Sequence, residues 1–98
     1  MKGGLAHRDA MAVHAVRRLF LRHGIAISRG EYWMICKTIE DGHAPALAVG
    51  RAGGTIHCIA IDQKPVYAIW NAEERAIATF LLGVPQEVHR RMVDEVRT

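Results

Sequence analysis

The sequence has few of the groups from which metal, nucleotide and redox sites are usually built. Its two cysteines, Cys36 and Cys58, do not form a CxxC pair, and its six histidines form neither HxxxH nor HExxH. No GxxxxGKS or GxxxxGKT motif is present, and the only serine is Ser28. Zinc sites and phosphate-binding loops require such spaced ligands and glycines. We therefore expect no metal site and no bound cofactor.

Long apolar runs are missing as well. No stretch approaches the roughly 20 apolar residues that a transmembrane helix needs. The N-terminal residues MKGGLAHRDA contain no apolar segment of the signal-peptide type. Both cysteines lie in apolar segments, which is typical of reduced, buried thiols. These features predict a cytoplasmic protein with no membrane partner.

Arginine is the abundant charged residue. Ten arginines and three lysines outweigh ten acidic residues, which leaves a net charge of +3. Arginine binds phosphate through two parallel hydrogen bonds, which lysine cannot form. A basic excess of this kind favours a nucleic-acid partner. A GC-rich genome would enrich arginine and alanine without any such function, and composition alone leaves both explanations open.

The chain of 98 residues has the length of one domain, with a flexible leader expected over residues 1–8. Helical periodicity then predicts a first helix from Asp9 to His23, ended by Gly24. Its apolar face is predicted to consist of Val13, Val16 and Phe20, with Ala10, Ala12 and Leu19 beside it.

A second helix is predicted over about Arg29–Asp41. Ser28 and Glu31 have the spacing of a capping box at its start, and Gly42 follows its end. Pro85 suits the first turn of a short C-terminal helix over about residues 85–96.

Short apolar segments separated by turn residues predict strands between these helices. The predicted strands are Ala46–Arg51, Thr55–Asp62, Val66–Trp70 and Arg75–Leu82. Hairpin-length links make the four-stranded sheet antiparallel, so the expected class is α+β. A helix over Glu73–Leu82 is the alternative to the last strand, because this segment contains good helix formers.

A row of polar side chains follows the first helix. His14, Arg18 and Arg22 are spaced by four residues, and Met11 precedes them by three, so all four lie on one side of a helix. An imidazole with two guanidinium groups can supply the base and the positive charge for RNA cleavage without a metal. A solvated polar face is the alternative explanation of the same spacing.

Two strand residues are further candidates. His57 shares a predicted strand face with Thr55 and Ile59, where a packed, hydrogen-bonded histidine is the more frequent case. Thr79 lies in the last strand, where threonine is simply a good strand former. Neither residue indicates a site by itself.

Several short motifs together resemble a known family. His14-Ala15, Arg18, Arg22 and Gly24-Ile25, followed by Ser28, Glu31, Ile39 and Gly42, resemble the opening of a small bacterial domain family. That family is similar to the barnase–EndoU–colicin–RelE group of ribonuclease folds, and its last strand resembles residues 75–81 here. Two positions depart from the pattern: His23 separates Arg22 from Gly24, and Phe80-Leu81 replaces a polar strand end.

The resemblance implies a metal-independent endoribonuclease of the bacterial toxin type, with RNA and an antitoxin protein as partners. His14 is then the expected acid or base, Arg18 and Arg22 bind phosphate, and Thr79 orients the substrate. His57 is the second choice for the acid or base. The alternative is a non-catalytic phage or plasmid accessory protein that acts as a homodimer, because the predicted strands are apolar on both faces.

Overall fold

Two helices, a four-stranded antiparallel sheet and a third helix follow one another in the computed structural model, which describes residues 5–97. The predicted α+β class, with two N-terminal helices and a short C-terminal helix, is confirmed. The elements are α1 (Leu5–His23), α2 (Arg29–Glu40), β1 (Ala46–Val49), β2 (Thr55–Ile61), β3 (Lys64–Asn71), β4 (Ala76–Phe80) and α3 (Gln86–Arg97). None of the described helices is both long enough and apolar enough to cross a membrane.

The predicted signals at the ends of the first two helices are present. The Ser28 hydroxyl accepts a hydrogen bond from the Glu31 backbone N–H, and the Glu31 carboxylate accepts one from the Ser28 N–H at 2.7 Å. Gly24 and Gly42 follow the two helices with φ of 68° and 84°, which glycine adopts without strain. Local chemistry therefore sets the boundaries of α2.

Helix α1 starts about one turn earlier than predicted, at Leu5 rather than Asp9. Arg8 anchors this first turn: its Nε donates to the Glu74 carbonyl oxygen at 2.9 Å, and its guanidinium lies 4.5 Å from the centre of the Trp33 ring. Residues 5–8 are therefore helical, and residues 1–4 of the expected leader lie outside the described part of the chain.

The sheet is a simple meander in the order β1-β2-β3-β4. Asp62 and Gln63 both have positive φ, 51° and 64°, which matches the tight turn between two paired strands. The segment after the β3–β4 turn pairs with β3 as strand β4, so the helical alternative for residues 73–82 is wrong. Pairing along a whole strand outweighs the helix propensity of this segment.

The register gives the sheet two different faces. The inner face packs against α1 and α2, and its core residues are Ile59, Ile61, Val66, Ala68, Trp70, Ile77 and Phe80. On the outer face, Ile56 pairs with Ile69, and Cys58 with Tyr67. Thr79 also lies on the outer face, because it pairs with Ile69. Most of the outer face is only partly covered.

Helix α1 packs through only part of the apolar face predicted for it, which included Ala12, Val16 and Leu19 as well as Val13 and Phe20. Ala12, Ala15 and Leu19 are fully buried, whereas Val13 and Phe20 are 48% and 56% exposed. Val16 is partly buried against the core. The prediction that Val13 and Phe20 face the core is therefore wrong. Small alanines allow α1 to lie close to the sheet. With the alanine side of the helix facing the sheet, the polar residues that flank it reach hydrogen-bond acceptors.

Those acceptors are carbonyl oxygens along the free edge of β4. Arg8 bonds the Glu74 carbonyl before the strand, and Arg22 Nη1 donates to the Phe80 carbonyl at 2.8 Å. His23 Nε2 donates to the Leu81 carbonyl at 2.7 Å. Helix α1 thus runs along β4, covers an edge that would otherwise be open to pairing, and places Arg22 at the end of the strand.

Helix α3 covers the opposite edge region. Val88 is buried, and the Arg91 guanidinium donates to the Leu47 carbonyl oxygen of β1. The first turn of α3 and the preceding Pro85 lie beside the outer face near Ile56 and Ile69. Only part of the outer face is therefore closed by a helix.

Candidate nucleic-acid interface

The outer face carries an open cleft of about 530 Å³ at the end where α1, the β1–β2 turn and α3 meet. Its apolar floor includes Ile56 and Ile69, which are paired across β2 and β3. The charged residues around this floor are Arg22, Arg51 and Glu87. Four separate segments of the chain therefore contribute to one cleft.

The glycines of the β1–β2 turn set the shape of this cleft. The Gly50 N–H donates to the Gly54 carbonyl oxygen at 2.6 Å. A Cβ atom on Gly54 would lie only 2.8 Å from Cγ2 of Ile69. Only a residue without a side chain fits here without displacing its neighbours. The turn therefore lies directly against the floor of the cleft, with Arg51 exposed at its rim.

Arg22 is the one of the two cations that a hydrogen bond holds in place. One of its N–H groups donates to the Phe80 carbonyl oxygen, and its side chain is partly buried. A guanidinium has five N–H donors in a rigid plane, so most of them remain free for an anion. Arg51 makes no hydrogen bond or ion pair with any described residue. The cleft therefore offers two guanidinium groups to a phosphate.

The row predicted on α1 leads away from this cleft. Arg18 lies one helical turn, about 6 Å, before Arg22 and is partly buried, and His14 lies a further turn back and is exposed. Within residues 5–97, neither side chain has a hydrogen-bond or ion-pair partner. The predicted alignment of His14, Arg18 and Arg22 is therefore present, and two of the three side chains are available to a ligand.

Two hydroxyl groups lie on the outer face beside the cleft. Thr79 is partly exposed and pairs with Ile69 of the cleft floor. Tyr67 lies next along β3, and its carbonyl oxygen accepts from the N–H of Leu81, another cleft residue. Burial raises the pKa of Tyr67, and the neighbouring Cys58 thiol raises it further. The Tyr67 hydroxyl therefore stays protonated at neutral pH and can donate.

His57 lies elsewhere. It is on the inner face, 6% exposed, with Nδ1 2.6 Å from the Ala44 carbonyl oxygen and Nε2 2.8 Å from the Thr55 hydroxyl. Because a carbonyl can only accept, Nδ1 carries the proton. Both ring nitrogens are thus engaged, on the sheet face opposite Thr79. The second-choice role of His57 as acid or base stays a prediction, and both of its ring nitrogens have hydrogen-bond partners away from the cleft.

No pattern in the sequence pointed to Arg51 or Glu87 as site residues, and none suggested a role for Tyr67. Arg51 has a local signal, since it lies in a glycine-rich turn where an arginine side chain stays exposed. Glu87 lies in the first turn of α3, where an acidic residue is ordinary helix chemistry. Nothing in the sequence relates it to Arg22. The described residues contain no group of three or more histidine, cysteine or acidic side chains placed to hold a metal.

Comparison with protein-family models, with curated protein sequences and with solved structures finds no match to this chain.

Proposed function

We propose that the protein binds single-stranded RNA along the outer face of the sheet and cleaves it without a metal ion, as a small endoribonuclease of the bacterial toxin type. The observation that carries this proposal is that Arg22 and Arg51 line one apolar cleft, and that Arg18 and His14 precede Arg22 along α1 at spacings of four residues. Cations beside an apolar surface suit a ligand with alternating phosphates and bases.

Binding follows from the arrangement of these groups. Arg22 is held in place by the Phe80 carbonyl, so little conformational freedom is lost when it contacts a phosphate. Arg18 supplies a second cation one helical turn away, which is close to the spacing of successive phosphates in a single strand. On the floor of the cleft, the partly exposed Ile69 gives an unstacked base an apolar surface to cover. Duplex RNA would not present its bases to this cleft.

The proposed cleavage uses His14 as the base. His14 takes the proton from a ribose 2′-hydroxyl, and the 2′-oxygen attacks the adjacent phosphorus. The bond from phosphorus to the 5′-oxygen breaks, and solvent water protonates the leaving oxygen. The products are a 2′,3′-cyclic phosphate and a free 5′-hydroxyl. Arg18 and Arg22 stabilise the negative charge on the non-bridging oxygens of the phosphorane, and Thr79 orients the strand through its hydroxyl.

The test is cleavage of a short single-stranded RNA in the presence of a chelator. We expect the wild type to yield 2′,3′-cyclic phosphate ends. We expect His14→Ala to lose at least about a hundredfold in rate while it still binds the RNA. His43→Ala is the matched control, because His43 is an exposed histidine in the α2–β1 connection. It should cleave like the wild type.

Growth of a bacterial host tests the toxin character of the activity. Expression of the wild type should slow growth, and His14→Ala should not. Co-expression with an antitoxin protein encoded beside the gene should restore growth. If the wild type leaves RNA intact and growth unchanged, the catalytic part of the proposal is wrong.

A second candidate is a non-catalytic interaction protein that acts as a homodimer. The observation that favours it is the exposure of Val13 and Phe20 on one side of α1, with the partly buried Val16 between them. Analytical ultracentrifugation separates the candidates. A stable dimer that dissociates in the Phe20→Ser variant, together with absent RNA binding, would favour the interaction protein.

A further inference from the structure

Strand β2 extends beyond the strand that pairs with it on one side. β3 pairs with β2 from Thr55 to Ile61, whereas β1 pairs with it only at residues 55–57. In the described part of the chain, residues 58–61 therefore have no strand neighbour on the side away from β3. Helix α1 bonds carbonyl oxygens along β4, and Arg91 of α3 bonds one on β1. Among the described residues, no helix side chain bonds the backbone of residues 58–61, so this edge is left open.

The backbone of Ala60 is the part of this edge that a ligand can reach. The Tyr67 carbonyl oxygen accepts a hydrogen bond from the N–H of Leu81, which follows β4, so the backbone polar groups of Tyr67 point away from β2. Cys58 lies opposite Tyr67 and therefore directs its own N–H and C=O away from β3. Ala60, two residues later, has the same direction and is exposed. It presents one donor and one acceptor to an incoming strand.

An open groove of about 430 Å³ lies between α2 and this end of β2, and Ala60 lines it. We call it the α2–β2 groove. Its apolar part consists of Met34 and Ile35 of α2, Ile27 before that helix and Ile61 at the end of β2. Met34 is 71% exposed, so this side of α2 is not used by the core. A free strand edge beside an apolar wall is an arrangement that binds extended peptides, because the edge bonds the peptide backbone and the wall contacts alternate side chains.

The two charged residues that line the α2–β2 groove are acidic. Glu31 and Asp62 are both exposed. One oxygen of the Glu31 carboxylate accepts from the Ser28 N–H, and no described residue bonds the Asp62 carboxylate. Two carboxylates on a chain with a net charge of +3 favour a basic ligand at this place and repel nucleic acid.

We infer that the α2–β2 groove binds an extended segment of a partner protein, which adds an antiparallel strand to the end of β2. The segment has apolar residues at alternate positions, which contact Met34 and Ile35, and a lysine or arginine near Glu31 or Asp62. The groove lies on the α2 side of the sheet, and the RNA cleft lies on the outer face. The inference therefore goes beyond the proposed function and does not rest on it.

A synthetic peptide tests the groove. The probe has about seven residues, enough to cover residues 58–61, with valine and threonine alternating, a lysine at each end and blocked termini. In an NMR titration of isotope-labelled protein, we expect the amide signals of Ala60 and Met34 to shift and hydrogen exchange of the Ala60 amide to slow. Glutamate in place of both lysines should weaken binding about tenfold, because two exposed ion pairs become repulsive. Equal affinity for the two peptides would overturn the assignment of a basic ligand.

N-methylated peptides separate strand addition from simple apolar contact. In an antiparallel strand whose valines face Met34, the threonine N–H groups point toward β2 and the valine N–H groups point to solvent. Methylation of every threonine N–H should weaken binding at least about tenfold, because hydrogen bonds to β2 are lost. Methylation of every valine N–H should leave the affinity nearly unchanged. Equal loss in the two peptides would overturn strand addition.

Met34→Lys tests the wall of the groove in the protein itself. Its exposed position should keep the fold intact, whereas the added charge should weaken peptide binding at least about tenfold, since the apolar contact is lost. Leu21→Lys is the matched control, because Leu21 is 64% exposed on α1, and it should bind the peptide like the wild type. Unchanged binding by Met34→Lys, or a wild type that does not bind the lysine peptide at millimolar concentration, would overturn the inference.

The remaining outcomes identify other occupants and separate this inference from the proposed function. If the Ala60 amide becomes protected as the protein concentration rises without peptide, and sedimentation shows dimers, a second copy fills the groove and the partner segment is wrong. Met34→Lys should bind RNA like the wild type. A protein that binds the peptide but not RNA would support the groove and overturn the proposed function, and the reverse result would overturn only the groove.

Discussion

The Tyr32 hydroxyl donates a 2.6 Å hydrogen bond to the carbonyl oxygen of Ile77, in the centre of the core. Both residues are fully buried, and 45 positions of sequence separate them. This bond joins α2 to β4, the strand along which α1 also lies. It therefore links both N-terminal helices to the part of the sheet that carries Thr79.

Removing this hydroxyl should destabilise the protein. In Tyr32→Phe the ring still fills its space, but the Ile77 carbonyl loses its buried donor. The free energy of unfolding should fall by about 1–3 kcal/mol, as measured by urea denaturation. Tyr67→Phe is the control, because Tyr67 lies on the partly open outer face. A loss as large in Tyr67→Phe would contradict this account.

Stability should decrease in alkaline solution. Burial raises the pKa of the Cys36 thiol above its ordinary value of 9.0. The stability that the protonated Cys36 thiol contributes to the folded protein is fully present below about pH 9. It is lost as the pH rises further, because the thiol ionises in the unfolded chain at a lower pH than in the folded protein. For this one group, the free energy of unfolding falls by at most about 1.4 kcal/mol per pH unit. Denaturation midpoints between pH 8 and 10 measure it.

Cys36→Ala should make this decrease shallower, whereas Cys58→Ala, which removes the partly exposed cysteine, should retain it. The Tyr32 pKa is also raised by burial, so a further decrease above about pH 10 should remain in Cys36→Ala. A wild-type stability that is constant from pH 8 to 10 would disprove the prediction.

Two adjacent residues of α1 report on how the helix packs. Leu19→Ala removes a fully buried side chain and should cost about 2–5 kcal/mol. Phe20→Ala removes a larger side chain that is 56% exposed and should change stability by only about 0.5 kcal/mol. Thermal or urea unfolding of both variants measures which of them loses more stability. The reverse order would mean that α1 packs against the core through Phe20 and not through Leu19.

The salt dependence of RNA binding should identify which arginines contact phosphate. Each phosphate contact to a single strand contributes about 0.7 to the slope of log affinity against log salt. Arg18→Ala should lower the slope by that amount. Arg17→Ala, an equal change of charge at an exposed position outside the row, should leave it nearly unchanged. Equal effects of the two variants would indicate a general charge effect instead of a site.

Features that depend on neighbours in the chain were predictable from the sequence. The capping box of Ser28 and Glu31 and the glycines after the first two helices act over a few residues. The antiparallel meander follows from short turns between apolar segments. The alignment of His14, Arg18 and Arg22 is a consequence of helix geometry alone.

The tertiary structure alone decided which side of α1 is buried and what surrounds the cleft. Hydrophobicity alone favoured Phe20 as a core residue of α1. The carbonyl oxygens at the β4 edge, however, require hydrogen-bond donors such as Arg8 and Arg22. The close approach of the helix to the sheet requires the small residues Ala12 and Ala15. Likewise, the strand register places His57 and Thr79 on opposite faces and brings Glu87 to the cleft of Arg22. These relationships join distant segments, and no local pattern of residues contains them.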